Sequence, residues 1–201
     1  MKAVVLISGS GSNLQSLIDN ANDIDLEIEA VISNKETAYG LQRAQQANIP
    51  TQVIDHKQFS TREDFDQKLG QIIDQYKPEI IILAGFMRIL TSEFTQKYVG
   101  KMLNIHPSLL PKFQGLNTHQ RAIDAKEIEH GVSVHFVTAE LDGGPIIAQS
   151  RVNVLANDDA TSLAKRVLAE EHKLFPEVVH WFTQGRLVLE GGHATLDGRI
   201  L

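Results

Sequence analysis

The chain has 201 residues, 42% hydrophobic and 22% charged, which excludes a disordered chain and suits one folded unit over 1–201. Lys plus Arg number 19 against 25 Asp plus Glu, a formal charge of −6, which argues against nucleic acid as a partner. Zero cysteines exclude disulfides, zinc–thiolate sites and thiol nucleophiles, and the lack of any apolar run of about 18 residues argues against a membrane span.

In chain order, Ala3–Ile7 is a buried-strand run too short for a signal peptide, so the chain reads as cytoplasmic. Ser8-Gly9-Ser10-Gly11-Ser12 closes it, and Leu14, Leu17 and Ile18 recur at helical spacing. Ile28–Ile32 predicts a second strand, Leu41–Ala47 a short helix and Thr51–Ile54 a third strand. Ser60 and Glu63 have capping-box spacing ahead of Phe65, Leu69, Ile72, Ile73 and Tyr76, a helix ending before Pro78. Ile80–Ala84 has the β-branched density of a strand buried on both faces, and Leu103–His106 reads as another strand end before Pro107. This alternation predicts an α/β fold: a doubly wound, mostly parallel sheet with helices on both faces. The second half changes rhythm. Val132–Val137 and Ile146–Val154 flank Asp142-Gly143-Gly144-Pro145 as a hairpin or bent ladder, so antiparallel additions are expected there. A long helix from Ala160 to Phe182, capped by Asp158 or Asp159 and kinked at Pro176, precedes a tail of short antiparallel strands.

Four places carry possible chemistry. The Ser8–Asn13 turn offers glycines and a helix N-terminus to an anion at the end of the first strand. Leu14 replaces the third glycine of a dinucleotide fingerprint, and Ser33-Asn34-Lys35 stands where its acid belongs, so a single phosphate monoester fits best. Asn104 and His106 share one face of a strand end, pairing an amide donor with an imidazole that titrates near neutral pH. The plain alternative is a satisfied core histidine. Asp142 in its glycine turn orients His106 only if folding brings the two together. Glu171 falls inside the apolar stripe of Val167, Leu174, Phe175, Val178 and Phe182, where a helix-edge carboxylate reaching solvent is the plainer reading. Arg62 is a cation in a first helical turn, ordinarily an exposed side chain. His56, His130, His180 and His193 show no partner pattern, and no metal-ligand spacing is present, so no metal is expected.

Gly9–Leu14, Ala84-Gly85-Phe86-Met87-Arg88-Ile89-Leu90, Asn104–Pro111 and Leu141–Pro145, in this order and spacing, resemble the folate-dependent formyltransferase superfamily, within it the phosphoribosylglycinamide formyltransferases. The resemblance covers residues 2 to about 187. It implies formyl transfer from the cosubstrate 10-formyltetrahydrofolate to glycinamide ribonucleotide in purine biosynthesis, with a phosphate-binding half over about 1–100 and a folate and catalytic half over about 101–201. It further implies Asn104, His106 and Asp142 as the catalytic trio, Gly11, Ser12 and Asn13 at the substrate phosphate, and Glu171 at the ribose. Arg62, Met87, Arg88, Ile89, Leu90, Asn104, Thr138, Ala139, Glu140, Leu141 and Asp142 are implied at the folate. Gln114 and Asn117 depart from the family pattern, which has histidine at the second position. The trio alone also fits a formyltetrahydrofolate deformylase, expected to carry an N-terminal regulatory domain, and a tRNA-directed formyltransferase, expected to carry a C-terminal RNA-binding domain. The chain reads as having neither. A non-catalytic sugar-phosphate binder is the rival of a different class. Oligomeric state is not legible in these patterns.

Overall fold

The computed structural model describes residues 1–201. Strands and helices alternate through the first half: β1 (Lys2–Ile7), α1 (Ser12–Asn20), β2 (Glu27–Ser33), α2 (Tyr39–Gln46), β3 (Thr51–Val53), α3 (Arg62–Tyr76), β4 (Ile80–Leu83), α4 (Ser92–Lys97) and β5 (Met102–His106). Then come α5 (Thr118–Asp124), β6 (Glu129–Phe136), β7 (Ile146–Asn153), α6 (Ala160–Thr183), β8 (Leu187–Glu190), β9 (His193–Leu196) and β10 (Arg199–Ile200).

Seven strands form one sheet in the order β3-β2-β1-β4-β5-β6-β7. β1 to β5 are parallel, while β6 pairs antiparallel with both β5 and β7. The last three strands make a separate antiparallel sheet. Period-two alternation divides the buried strands between two cores. Ala3, Val5, Ile7, Ile80 and Ile82 face the core built with α1 and α6, whereas Val4, Leu6, Ile81 and Leu83 face the core with Phe65, Leu69, Ile73 and Phe94 of α3 and α4. Strand order reverses between β1 and β4, and such a switch point leaves a crevice beyond the carboxyl ends of the strands.

One local expectation is corrected and one open choice is resolved. Thr61, not Ser60, caps α3, its hydroxyl accepting the Asp64 N–H at 3.1 Å. Asp159 alone caps α6, in a reciprocal box with Ser162, while Asp158 is taken by Arg166 and the Leu155 N–H. Helix α6 runs unbroken through Pro176. Helices α4 and α5, each under two turns, went unpredicted because so short an apolar pattern has no legible period.

Candidate active site

Beyond β1 the chain turns through Ser8–Gly11 into α1. Gly11 has φ 69°, and a Cβ there would lie 2.5 Å from the Gly40 Cα. Close packing on the start of α2 therefore already demands this glycine, a reason distinct from the expected approach of a ligand. No side chain caps α1, and its first turn holds no acidic residue. The first closing bond runs from Gln15 N–H to Gly11 C=O at 2.9 Å, so the Ser12 and Asn13 N–H groups are left for an anion. Arg43 supports the loop by donating from Nε to the Ser10 carbonyl at 2.9 Å. Asn13 donates its side-chain amide to Glu171 Oε2 at 2.6 Å, joining the ends of the chain. Glu171 is only 7% exposed, which corrects the reading of a helix-edge carboxylate reaching solvent. Burial pushes its carboxyl above the usual range, and the Asn13 amide partly offsets this.

Asn104 and His106, on one face of β5, stand opposite His135 and Ser133 of β6 in register. The 137–145 connection folds back over this polar face and brings Asp142 in. Its closure depends on Gly144, where a Cβ would lie 1.9 Å from the Phe136 carbonyl oxygen. Asp142 Oδ2 faces His106 Nδ1 at 3.4 Å and accepts the Gly115 N–H at 2.9 Å, while Oδ1 accepts from Asn104 Nδ2 at 3.5 Å. Sequence alone did not bring Asp142 to His106, and the fold does so across 36 positions (142 − 106).

The hydrogen bonds define which groups carry protons. His106 Nε2 lies 2.9 Å from the Phe113 carbonyl, which only accepts, so Nε2 carries hydrogen, and Nδ1 faces Asp142 Oδ2. His135 Nδ1 likewise donates to the Phe136 carbonyl at 2.9 Å, leaving Nε2 to accept from Asn104 Nδ2 at 3.0 Å. Burial holds the His135 imidazole below its ordinary range, in keeping with this neutral tautomer. One Asn104 amide hydrogen is thereby committed, and the second points toward Asp142 and the cleft.

That cleft is walled by Leu83, Phe86, Leu90 and Val137, with Arg88, Ile89, Asn104, His135 and residues 138–142 completing it. It brings together the expected Arg88, Ile89, Leu90, Asn104, Thr138, Ala139, Glu140, Leu141 and Asp142. Met87 and Arg62 stand outside it. The Met87 side chain is 60% exposed, and its N–H donates to Ser8 Oγ at 2.7 Å. Arg62 is exposed at the start of α3, beside Asp66. Asp66 accepts the Thr91 N–H at 2.6 Å, so the 84–91 loop is tied to β1 at one end and α3 at the other. A wider groove at the amino ends of the central strands is lined by Met1, Pro78, Tyr98 and Phe182, and its Asp74 is taken up by Lys97 and the Tyr98 hydroxyl.

Sequence reasoning missed His135 and the scaffold beneath it. Ser133 Oγ donates to the Ser108 carbonyl at 2.7 Å and accepts from Leu110 N–H at 3.0 Å and Gln149 Nε2 at 2.8 Å. The available signal was period two: Ser133 and His135 alternate with Val132, Val134 and Phe136, a buried polar stripe beside an apolar one. Three histidines read as partnerless have partners, among them His180, whose Nε2 lies 3.0 Å from Gln184 Nε2. His130 Nε2 lies 3.2 Å from His119 Nδ1, and His56 Nδ1 lies 3.2 Å from the Asn34 carboxamide nitrogen.

Comparison with known proteins points to one family. The formyl transferase family profile matches residues 1–179. The phosphoribosylglycinamide formyltransferase of Escherichia coli (strain K12) is 50% identical, with 100% of this chain and 96% of the relative aligned. The trifunctional purine biosynthetic protein adenosine-3 of Homo sapiens is 45% identical over 94% of this chain and 19% of its own length. Among solved structures, the phosphoribosylglycinamide formyltransferase of Coxiella burnetii superimposes with a TM-score of 0.96 at 52% identity, covering 100% of this chain and 95% of that one.

Proposed function

The chain belongs to the formyl transferase family, and on that premise we propose that the enzyme transfers a formyl group from 10-formyltetrahydrofolate to the amine of glycinamide ribonucleotide, a step of purine biosynthesis. The observation that carries this reading is the convergence of Asn104, His106 and Asp142 at an apolar cleft, with His106 Nδ1 3.4 Å from Asp142. The flat apolar walls of the cleft suit a pterin ring, and the free N–H groups of α1 suit the phosphate of the acceptor. Arg88 to Leu90 and 138–142 hold the donor, with Met87 through its loop and Arg62 at the outer end. Gly11, Ser12 and Asn13 hold the acceptor phosphate and Glu171 its ribose. The two sides draw on both halves of the chain, so 1–201 acts as one functional unit.

The acceptor amine attacks the formyl carbon, and the carbonyl oxygen becomes an oxyanion. Asn104 meets that charge by turning its second amide hydrogen from Asp142 Oδ1, which lies 3.5 Å away, while His135 retains the first. A proton must leave the amine as the new bond forms. Nε2 is held on the Phe113 carbonyl, so Nδ1 is the ring site open to proton exchange, and His106 acts there as the base. The imidazolium so formed is held between two acceptors, the Phe113 carbonyl and the Asp142 carboxylate. Return of that proton to the departing folate nitrogen completes the transfer without a covalent enzyme intermediate.

The test follows formyl loss from a 10-formyl folate analogue with and without glycinamide ribonucleotide. Loss only with the acceptor is expected. Loss without it makes the protein a deformylase, and binding of both compounds with no turnover makes it a sugar-phosphate binder.

A further inference from the structure

The segment between β5 and α5 has contacts that the mechanism above leaves unexplained. Phe113, Gly115 and Asn117 all have left-handed backbones, with φ of 57°, 80° and 57°. Two of these are not glycine, and such a run persists only where its surroundings hold it. Arg121, exposed on α5, supplies the hold. Its Nη1 donates to the Gln114 carbonyl at 2.6 Å and to the Leu116 carbonyl at 3.2 Å, and its guanidinium carbon lies 5.4 Å from the centre of the Phe113 ring.

The loop grips both members of the proton-transfer pair. The Phe113 carbonyl accepts from His106 Nε2, and the Gly115 N–H donates to Asp142 Oδ2. The Gln114 carbonyl and the Gly115 N–H are opposite ends of one planar peptide group. Arg121 holds the oxygen end of that plane and Asp142 the hydrogen end. A cation on the oxygen fixes which way the N–H points and polarises the amide, strengthening its bond to the carboxylate.

We infer that Arg121 is a positioning residue for formyl transfer, acting through the Gln114–Gly115 peptide and the Phe113 carbonyl to fix Asp142 and His106 against one another. It touches neither of these residues itself. The inference rests on the formyl-transfer reading for its kinetic consequence but not for its structural one. A guanidinium also suits the task because it stays charged through the working pH range and donates from a rigid plane.

The test uses the full-length protein with Arg121→Met, which keeps the apolar stem, and Arg121→Lys, which keeps the charge and a single point donor. In ligand-free protein the Gly115 amide proton resonates downfield and exchanges slowly. In Arg121→Met it moves upfield and exchanges faster. In the formyl-transfer assay Arg121→Met lowers kcat about tenfold, on the scale of a sub-ångström misplacement, with KM for both substrates within about twofold. Arg121→Lys restores part of that kcat. An unchanged Gly115 resonance in Arg121→Met overturns the inference, as does a loss confined to KM, which would make Arg121 a substrate contact. If the unaltered protein transfers no formyl group, the reaction reading falls, and the Gly115 resonance alone still decides the clamp.

Discussion

Asp142 works with both carboxylate oxygens, and an amide cannot replace them. In Asp142→Asn one of the two sites must receive an NH2 group. That group then opposes either the Gly115 N–H or the Asn104 amide, donor against donor. We expect kcat to fall by at least about 10²-fold. Thermal stability changes little, since the side chain sits on a connection and not in either core. A variant with near-normal kcat would return Asp142 to ordinary turn chemistry. Glu171 poses the reverse case. Its buried carboxylate has one hydrogen-bond partner, the Asn13 amide, and its desolvation opposes folding. Glu171→Gln keeps the shape and an oxygen for Asn13. Stability should rise, by on the order of 1 kcal/mol, while KM for glycinamide ribonucleotide rises and affinity for the folate analogue stays. Calorimetry beside acceptor kinetics checks this, and a drop in melting temperature contradicts it.

At the scale of elements, the turn between β1 and α1 answers to α2 as well as to a ligand. Gly11→Ala places a Cβ 2.5 Å from the Gly40 Cα in a left-handed backbone, so α2 or the turn must shift. Acceptor affinity should fall by about tenfold or more together with the melting temperature, and folate-analogue affinity should hold. Titration of each compound decides, and loss of the folate analogue alone would mean that the two sides of the site are assigned the wrong way round. The elements that sequence reasoning placed best share a cause. Ala3–Ile7 and Ile80–Ala84 are apolar on both faces because both cores press on them, and α6 repeats its apolar stripe over six turns. What stayed illegible depends on register. Asn104 meets His135 only because β5 and β6 pair with that offset, and Asp142 meets His106 only because a loop folds back over the sheet. Arg121 acts on backbone carbonyls, whose side chains carry no trace of the contact. Glu171 was noticed for the right reason, a charge on a packing face, but its partner lies 158 residues away.

For the whole molecule, buried imidazoles dominate the response to acid. Burial depresses His130 to about 4 and lowers His119, His135 and His172 from their ordinary 6.5. The unfolded chain binds more protons than the folded one between those limits, so stability is present above about pH 6.5 and is lost as pH falls toward 4. His130 alone accounts for about 3 kcal/mol of this difference. Asp66 and Glu171, raised by burial, act in the opposite sense as pH climbs through the carboxylate range. Urea midpoints measured from about pH 7.5 down to about pH 5 should decline steadily, and a flat series would mean that these rings take up protons without opening the fold.

The Asn13–Glu171 bond has a bearing on biosynthesis. A polypeptide emerging from the ribosome releases the turn after β1 first, yet the carboxylate that answers it arrives only with residue 171. The helix bearing that carboxylate also brings Leu163, Val167, Leu174, Phe175 and Val178 to the larger core. Completion of the interior and formation of the Asn13–Glu171 bond thus both wait on this helix. On the proposed assignment of Glu171 to the ribose, a nascent or truncated chain lacking this helix would leave the acceptor side unfinished, and competence for the acceptor would report that the last long segment has docked.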